Sequence, residues 1–172
     1  ATQLALNVVE PQSSGIGGGS FWVSHDAATG KVSTIDGREK APAAAGPTWF
    51  YVDGKPLSHR EAVPGGKSVG VPGALRAMAM AHRTSGKLPW ARLFQPAIKL
   101  AHDGFVITER LNNSIASYGG HVTGWARTAF FGADGKALPA GTLFRNPDQA
   151  AFLDRIARLG PDVAGVMITN PN

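Results

Sequence analysis

Asn7-Val8-Val9-Glu10-Pro11-Gln12-Ser13-Ser14-Gly15-Ile16-Gly17-Gly18-Gly19-Ser20-Phe21, followed by Ile35-Asp36-Gly37-Arg38-Glu39-Lys40-Ala41-Pro42, decides how this chain is read. Leu4, Val8 and Val9 fall on one helical face, and Pro11 stops the helix by removing a backbone donor. A helix that is already running at Ala1 reads as the remainder of a longer one. A glycine-dense turn follows. Ser20 to His25 and Lys31 to Asp36 then read as two strands joined by Asp26-Ala27-Ala28-Thr29-Gly30, a hairpin with a glycine-containing turn. The far strand delivers an arginine, Arg38.

The same glycines invite comparison with a dinucleotide fingerprint, which needs a strand before it and a helix after it. Here the order is helix, glycines, strand, so a tight turn with close backbone approach is the better reading. Gly66-Lys67-Ser68 imitates the end of a phosphate-binding loop, but Glu61 occupies the required glycine position and Pro64 removes a donor from the cradle.

Composition narrows the class. The 172 residues, 43% hydrophobic and only 17% charged, suffice for one domain with a real core and exclude a disordered chain. No apolar run reaches the ~18 residues of a membrane-spanning helix. Zero cysteines remove disulfides, thiolate catalysis and Cys-based metal sites. The net charge of +5 comes from basic residues scattered singly between Lys31 and Arg158, which reads as a solvated surface and not a nucleic-acid track. His25, His59, His82, His102 and His121 show no metal-ligand spacing, and no Ser/His/Asp set stands out from chance. No metal or cofactor is expected.

Further along, Trp49 to Asp53 reads as a third strand ending in an Asp-Gly turn. A helix should run between Pro72 and Gly86 with Leu75, Met78 and His82 on one side. Trp90, Leu93, Phe94, Ala97, Ile98 and Ala101 keep helical spacing up to Gly104, but Pro96 interrupts them. A mid-helix proline costs about 3 kcal/mol, so a kink or two abutting helices is expected. Thr108 should cap a helix carrying Leu111, Ile115 and Tyr118. Residues 122 to 143 read as irregular, and Asn146-Pro147-Asp148-Gln149 starts a last helix that ends at Gly160-Pro161. No repeat or linker divides the chain, so residues 1–172 are expected to form a single domain, with an atypical tail at 166–172.

Arg38 stands apart chemically. By its neighbours alone it reads as a surface ion pair with Asp36 or Glu39. Its planar, permanently charged fork is also suited to gripping a carboxylate through two parallel bonds.

The opening motifs resemble the large subunit of the γ-glutamyltranspeptidases (glutathione hydrolases), in the N-terminal nucleophile hydrolase superfamily. The resemblance extends through Ser68-Val69-Gly70-Val71-Pro72-Gly73, Gly86-Lys87-Leu88-Pro89-Trp90, Pro96 to Gly104-Phe105, and Asn146 to Asp162. It implies an α/β fragment of a four-layer αββα fold, with hairpin strands near residues 20–36 followed by a mainly helical region. It also implies that Arg38, in Arg38-Glu39-Lys40-Ala41-Pro42, binds the α-carboxylate of a γ-glutamyl group. The family's precursor cuts itself before a threonine, which becomes the nucleophile of a small subunit. No catalytic residue is therefore expected in this chain, which supplies the clamp and scaffold and is expected to be inactive alone. The implied partners are the remainder of the large subunit, the small catalytic subunit, and γ-glutamyl compounds such as glutathione. The implied location is periplasmic or secreted. A related acylase that cleaves glutaryl-cephalosporins shares the scaffold and is the alternative enzyme; a non-catalytic scaffold domain is the alternative from another class.

Overall fold

The computed structural model describes residues 1–163. In chain order these form α1 (Thr2–Val9), β1 (Ser20–His25), β2 (Val32–Gly37), β3 (Tyr51–Val52), β4 (Lys55–Pro56) and α2 (His59–Ala62). Then follow α3 (Ala74–Ser85), α4 (Gln95–Asp103), β5 (Phe105–Val106), α5 (Glu109–Tyr118), α6 (Gly124–Phe130), β6 (Leu143–Phe144) and α7 (Pro147–Leu159). The atypical tail at 166–172 lies outside the described residues. Two compact units divide the chain, one of residues 1–15 and 88–160, the other of residues 16–87 and the described residues after Gly160.

In the first unit α4 packs against α1 and α7. Leu4, Val8, Phe94, Ala97, Leu111, Leu153 and Ile156 make its core, and Phe94, Leu111 and Ile156 are fully enclosed. The expected break at Pro96 is present: a 3-10 turn, Trp90–Leu93, abuts α4, where the proline sits in the first turn and its missing N–H costs nothing. Side chains cap the next two long helices as the sequence indicates. Thr108 Oγ1 accepts from Leu111 N at 3.1 Å, and Asn146 Oδ1 accepts from Gln149 N at 3.0 Å.

The reading of residues 122 to 143 as irregular is corrected by α6. This helix opens on Gly124 and has no side-chain cap, so local signals are weak. Tertiary contacts hold it instead. Phe130 stacks on Phe144 at 4.5 Å, while Arg127 donates to the carbonyls of Gly119 and Gly135. β5 and β6 pair antiparallel nearby, Phe105 opposite Phe144.

The second unit is built on the β1–β2 hairpin, antiparallel from Ser20 opposite Gly37 to His25 opposite Val32. Asp26 Oδ1 accepts from Ala28 N and Thr29 N to close its turn. One hairpin face packs against α3. On that helix Leu75 is buried as expected, but Ala74, Ala77, Ala79 and Ala81 supply the rest of the buried surface. Small side chains let the helix lie close to the strands. The third strand is shorter than Trp49 to Asp53: only Tyr51–Val52 is extended, pairing with Lys55–Pro56. Asp53 (φ 50) and Gly54 (φ 75) take the two left-handed positions of the hairpin turn between them.

Candidate functional site

The glycine turn serves the helix behind it. Gly18 O accepts from both Gly73 N (3.2 Å) and Ala74 N (3.0 Å), satisfying donors that a helix N-terminus leaves unpaired. The anion-binding donors of a nucleotide site are thus already spent on protein. The Lys67–Ser68 segment is committed in the same way. Ser68 Oγ lies 2.6 Å from Val63 O and 2.9 Å from Gly65 O. Lys67 Nζ reaches Trp49 O at 3.4 Å, and Trp49 Nε1 donates to Lys67 O at 2.9 Å.

Arg38 is the first residue beyond β2. Its amide donates to Asp36 Oδ1 at 2.9 Å, so Asp36 fixes the backbone and does not meet the guanidinium. Glu39 does: Arg38 Nη1 stands 2.7 Å from Glu39 Oε2. The pair is close enough for an ionic contact, yet the N–H is not aligned for a hydrogen bond, and Oε2 is buried without one. The two side chains differ in exposure, 64% for Arg38 and 27% for Glu39. The surface ion pair anticipated from the sequence therefore forms, with one end anchored and the other end in solvent.

What anchors Glu39 is bare backbone. A Cβ on Gly19 would stand 2.8 Å from Glu39 Cδ, and one on Gly70 would stand 2.9 Å from Glu39 Cβ. Directly after the pair, Lys40 and Val71 bridge antiparallel, with Val71 N donating to Lys40 O at 2.8 Å. Three stretches far apart in sequence thus meet around the Glu39 side chain: the glycine turn, the exit of β2, and Gly70 with the bridged Val71 before α3. Sequence reasoning singled out Arg38 and Glu39 but not Gly19 and Gly70 as their neighbours. The only available signal was that both glycines lie inside the quoted motifs, which does not reveal what they touch.

Among the described residues no three His, Asp or Glu side chains converge into a set able to hold a metal ion. Asp103 is the most perturbed carboxylate. Hydrogen bonds from Lys99 and then His102 lower it to about 2, but it lies in the other unit, exposed at the end of α4. It has the features of a surface ion pair.

An α/β chain whose glycine turn leads into a hairpin that delivers a solvent-facing arginine, paired with Glu39, has clear relatives. The family model described as Gamma-glutamyltranspeptidase matches residues 1–164. A glutathione hydrolase proenzyme of Bacillus subtilis (strain 168) is 38% identical over 163 residues, which is 94% of this chain and 28% of that protein. Scoloptoxin SSD14 of Scolopendra dehaani is 48% identical over 122 residues, 71% of this chain and 20% of its own length. The crystal structure of Helicobacter pylori gamma-glutamyltranspeptidase superimposes with a TM-score of 0.86 at 31% identity, over 95% of this chain and 47% of that one. This chain belongs to the γ-glutamyltranspeptidase family and carries an α/β part of the N-terminal nucleophile hydrolase fold. It spans between 20% and 28% of the length of the two curated relatives named.

Proposed function

We propose that residues 1–172 belong to the large subunit of an enzyme that hydrolyses the γ-glutamyl amide of glutathione and related compounds, or passes the glutamyl group to amino acids. Arg38 supplies the grip on the substrate's α-carboxylate. The observation that carries this reading is the geometry of the guanidinium. Glu39 engages Nη1, and the side chain is otherwise 64% exposed at the end of a strand held by three backbone segments. A carboxylate arriving at the open side gains charge-assisted, two-pronged bonds.

The chemistry itself falls to an N-terminal threonine outside this chain, freed when the precursor cuts its own peptide bond. Its hydroxyl attacks the γ-carbonyl, the amine of the leaving group departs, and the acyl-enzyme is resolved by water or an acceptor amine. Arg38 contributes position: with the α-carboxylate fixed, the γ-carbonyl is brought to the nucleophile in one orientation. No cofactor is required for these steps, and a periplasmic or secreted location follows from the family resemblance alone.

The hairpin supports the presence of further layers. Phe21 (70% exposed), Val23 (72%) and Val32 (60%) share the face turned away from α3. Apolar side chains so placed call for a covering partner, here the remainder of the same precursor. The reading is tested by producing the intact precursor and assaying a chromogenic γ-glutamyl anilide. Self-cleavage before a threonine with release of the anilide supports it. Preference for a glutaryl amide lacking the α-amino group would favour the acylase alternative, and a processed protein inert toward both would favour a scaffold.

A further inference from the structure

We propose that Gly19 and Gly70 are positioning residues of the Arg38 site. Their missing side chains form a slot that seats Glu39, and through Glu39 they hold the guanidinium with one nitrogen engaged and the remaining fork open to a carboxylate. The inference rests on the reading of Arg38 as the clamp and adds what aims it.

The slot has two walls. On the Gly19 side a Cβ would fall 2.8 Å from Glu39 Cδ and 2.9 Å from Glu39 N. On the Gly70 side it would fall 2.9 Å from Glu39 Cβ and 3.2 Å from Lys40 O. Neither glycine needs a left-handed backbone, since neither has a positive φ. Glycine is required there for space, which separates these two from Gly30, Gly54 or Gly65, whose φ values are 69, 75 and 97. The backbone cannot yield cheaply, because Gly18 O is held by Gly73 N and Ala74 N, and Val71 N by Lys40 O.

The consequence reaches Arg38 through a single contact. Among the described residues its guanidinium has Glu39 as its partner, at 2.7 Å to Nη1, while its amide is fixed by Asp36. An arginine side chain with one fixed nitrogen and solvent around the rest takes its direction from that nitrogen. Displacing Glu39 by a few tenths of an ångström therefore swings the open edge of the fork, and two-pronged recognition is sensitive to such a shift. Glu39 Oε2 is enclosed and has the Arg38 guanidinium, 2.7 Å away, as its polar neighbour, so its charge is compensated by that contact. The same contact gives the guanidinium its direction.

Two nearby glycines provide matched controls. A Cβ at Gly17, in the same turn as Gly19, or at Gly66, in the loop leading to Gly70, would meet nothing within 4 Å. Both have ordinary φ.

The experiment uses the intact, self-processed enzyme and two substrates, a γ-glutamyl anilide and its counterpart with the α-carboxylate replaced by a carboxamide. Gly19→Ala and Gly70→Ala should raise KM for the carboxylate substrate about tenfold or more, with kcat and self-cleavage changed far less. Turnover of the carboxamide should stay as in the parent, and Gly17→Ala and Gly66→Ala should behave as the parent throughout. Glu39→Ala, which empties the slot without crowding it, should show the same selective rise in KM. It serves as the test if either alanine variant fails to fold. Unchanged selectivity in all three, or an equal loss on both substrates, overturns the slot. Arg38→Ala run alongside separates the two ideas. If it leaves selectivity intact, the clamp itself is misplaced; if it abolishes selectivity while the other variants keep it, only the slot is wrong.

Discussion

Gly37 and Gly73 meet backbone to backbone: a Cβ on Gly73 would stand 2.8 Å from the carbonyl carbon of Gly37 and 3.2 Å from Arg38 O. The strand that delivers Arg38 is thereby pressed onto the start of α3 with no side chain between them. One turn further along α3, a Cβ at Gly37 would lie 2.5 Å from Ala77 Cβ. Gly37→Ala should accordingly destabilise the protein by about 1–3 kcal/mol, the usual cost of overpacking a close contact. Urea unfolding of the intact protein with and without Ala77→Gly checks this, since removing the Ala77 methyl should recover part of the loss. An unchanged midpoint for Gly37→Ala would show that the contact is not tight.

Much of this architecture is legible in the sequence wherever structure is punctuated locally. Pro96 marks a helix break through its missing N–H, Thr108 and Asn146 mark helix starts through their side-chain oxygens, and the hairpin follows from two strand-like runs around Asp26 to Gly30. Legibility fails where the stabilising partner is distant. The helix Gly124–Phe130 depends on Phe144 and on carbonyls that Arg127 reaches, so a local reading leaves it irregular. The site divides in the same manner. Arg38 and Glu39 are chemically conspicuous side chains, whereas Gly19 and Gly70 act by lacking one, and only the fold shows what the empty space accommodates.

The exposed hairpin face has a measurable consequence for the chain taken alone. Phe21, Val23 and Val32 should drive residues 1–172 to self-associate, and Phe21→Asp with Val23→Lys should return the chain toward a monomer in sedimentation velocity. In the intact precursor the same pair should impair folding or self-cleavage. A monodisperse parent chain, or a precursor indifferent to the double change, would contradict the idea that this face is covered.

Residues 1–172 by themselves should not turn over a γ-glutamyl anilide. Nucleophile and oxyanion donors act as a unit, and the proposal places both beyond this chain. The check is a rigorously purified sample assayed at high protein concentration; genuine turnover that follows the protein through chromatography would refute the assignment of roles.

Asp103 gives a prediction in pH. Lys99 and His102 hold its carboxyl at about 2 in the folded protein, below the ordinary 3.8. A depressed carboxylate contributes stability that is present above its unfolded pKa and is lost as pH falls through the folded one, so the window lies between about pH 4 and pH 2. Carboxyl NMR titration should show Asp103 among the most acidic side chains, and Lys99→Gln should move its midpoint up toward the ordinary value. A midpoint already near that value in the parent would mean the contact does not persist in solution.

The most direct test of the central claim is a comparison of kcat/KM for the intact enzyme and its Arg38→Ala and Arg38→Lys variants, on a γ-glutamyl anilide and on its α-carboxamide counterpart. Losing two charge-assisted bonds to the α-carboxylate should cost the alanine variant roughly a hundredfold or more on the first substrate. It should cost little on the second, with folding and self-cleavage retained. The lysine variant should recover only part, because a point charge cannot reproduce the two-pronged contact. Near-parental kinetics of Arg38→Ala on the γ-glutamyl anilide would contradict the account, leaving Arg38 and Glu39 as an ordinary surface ion pair.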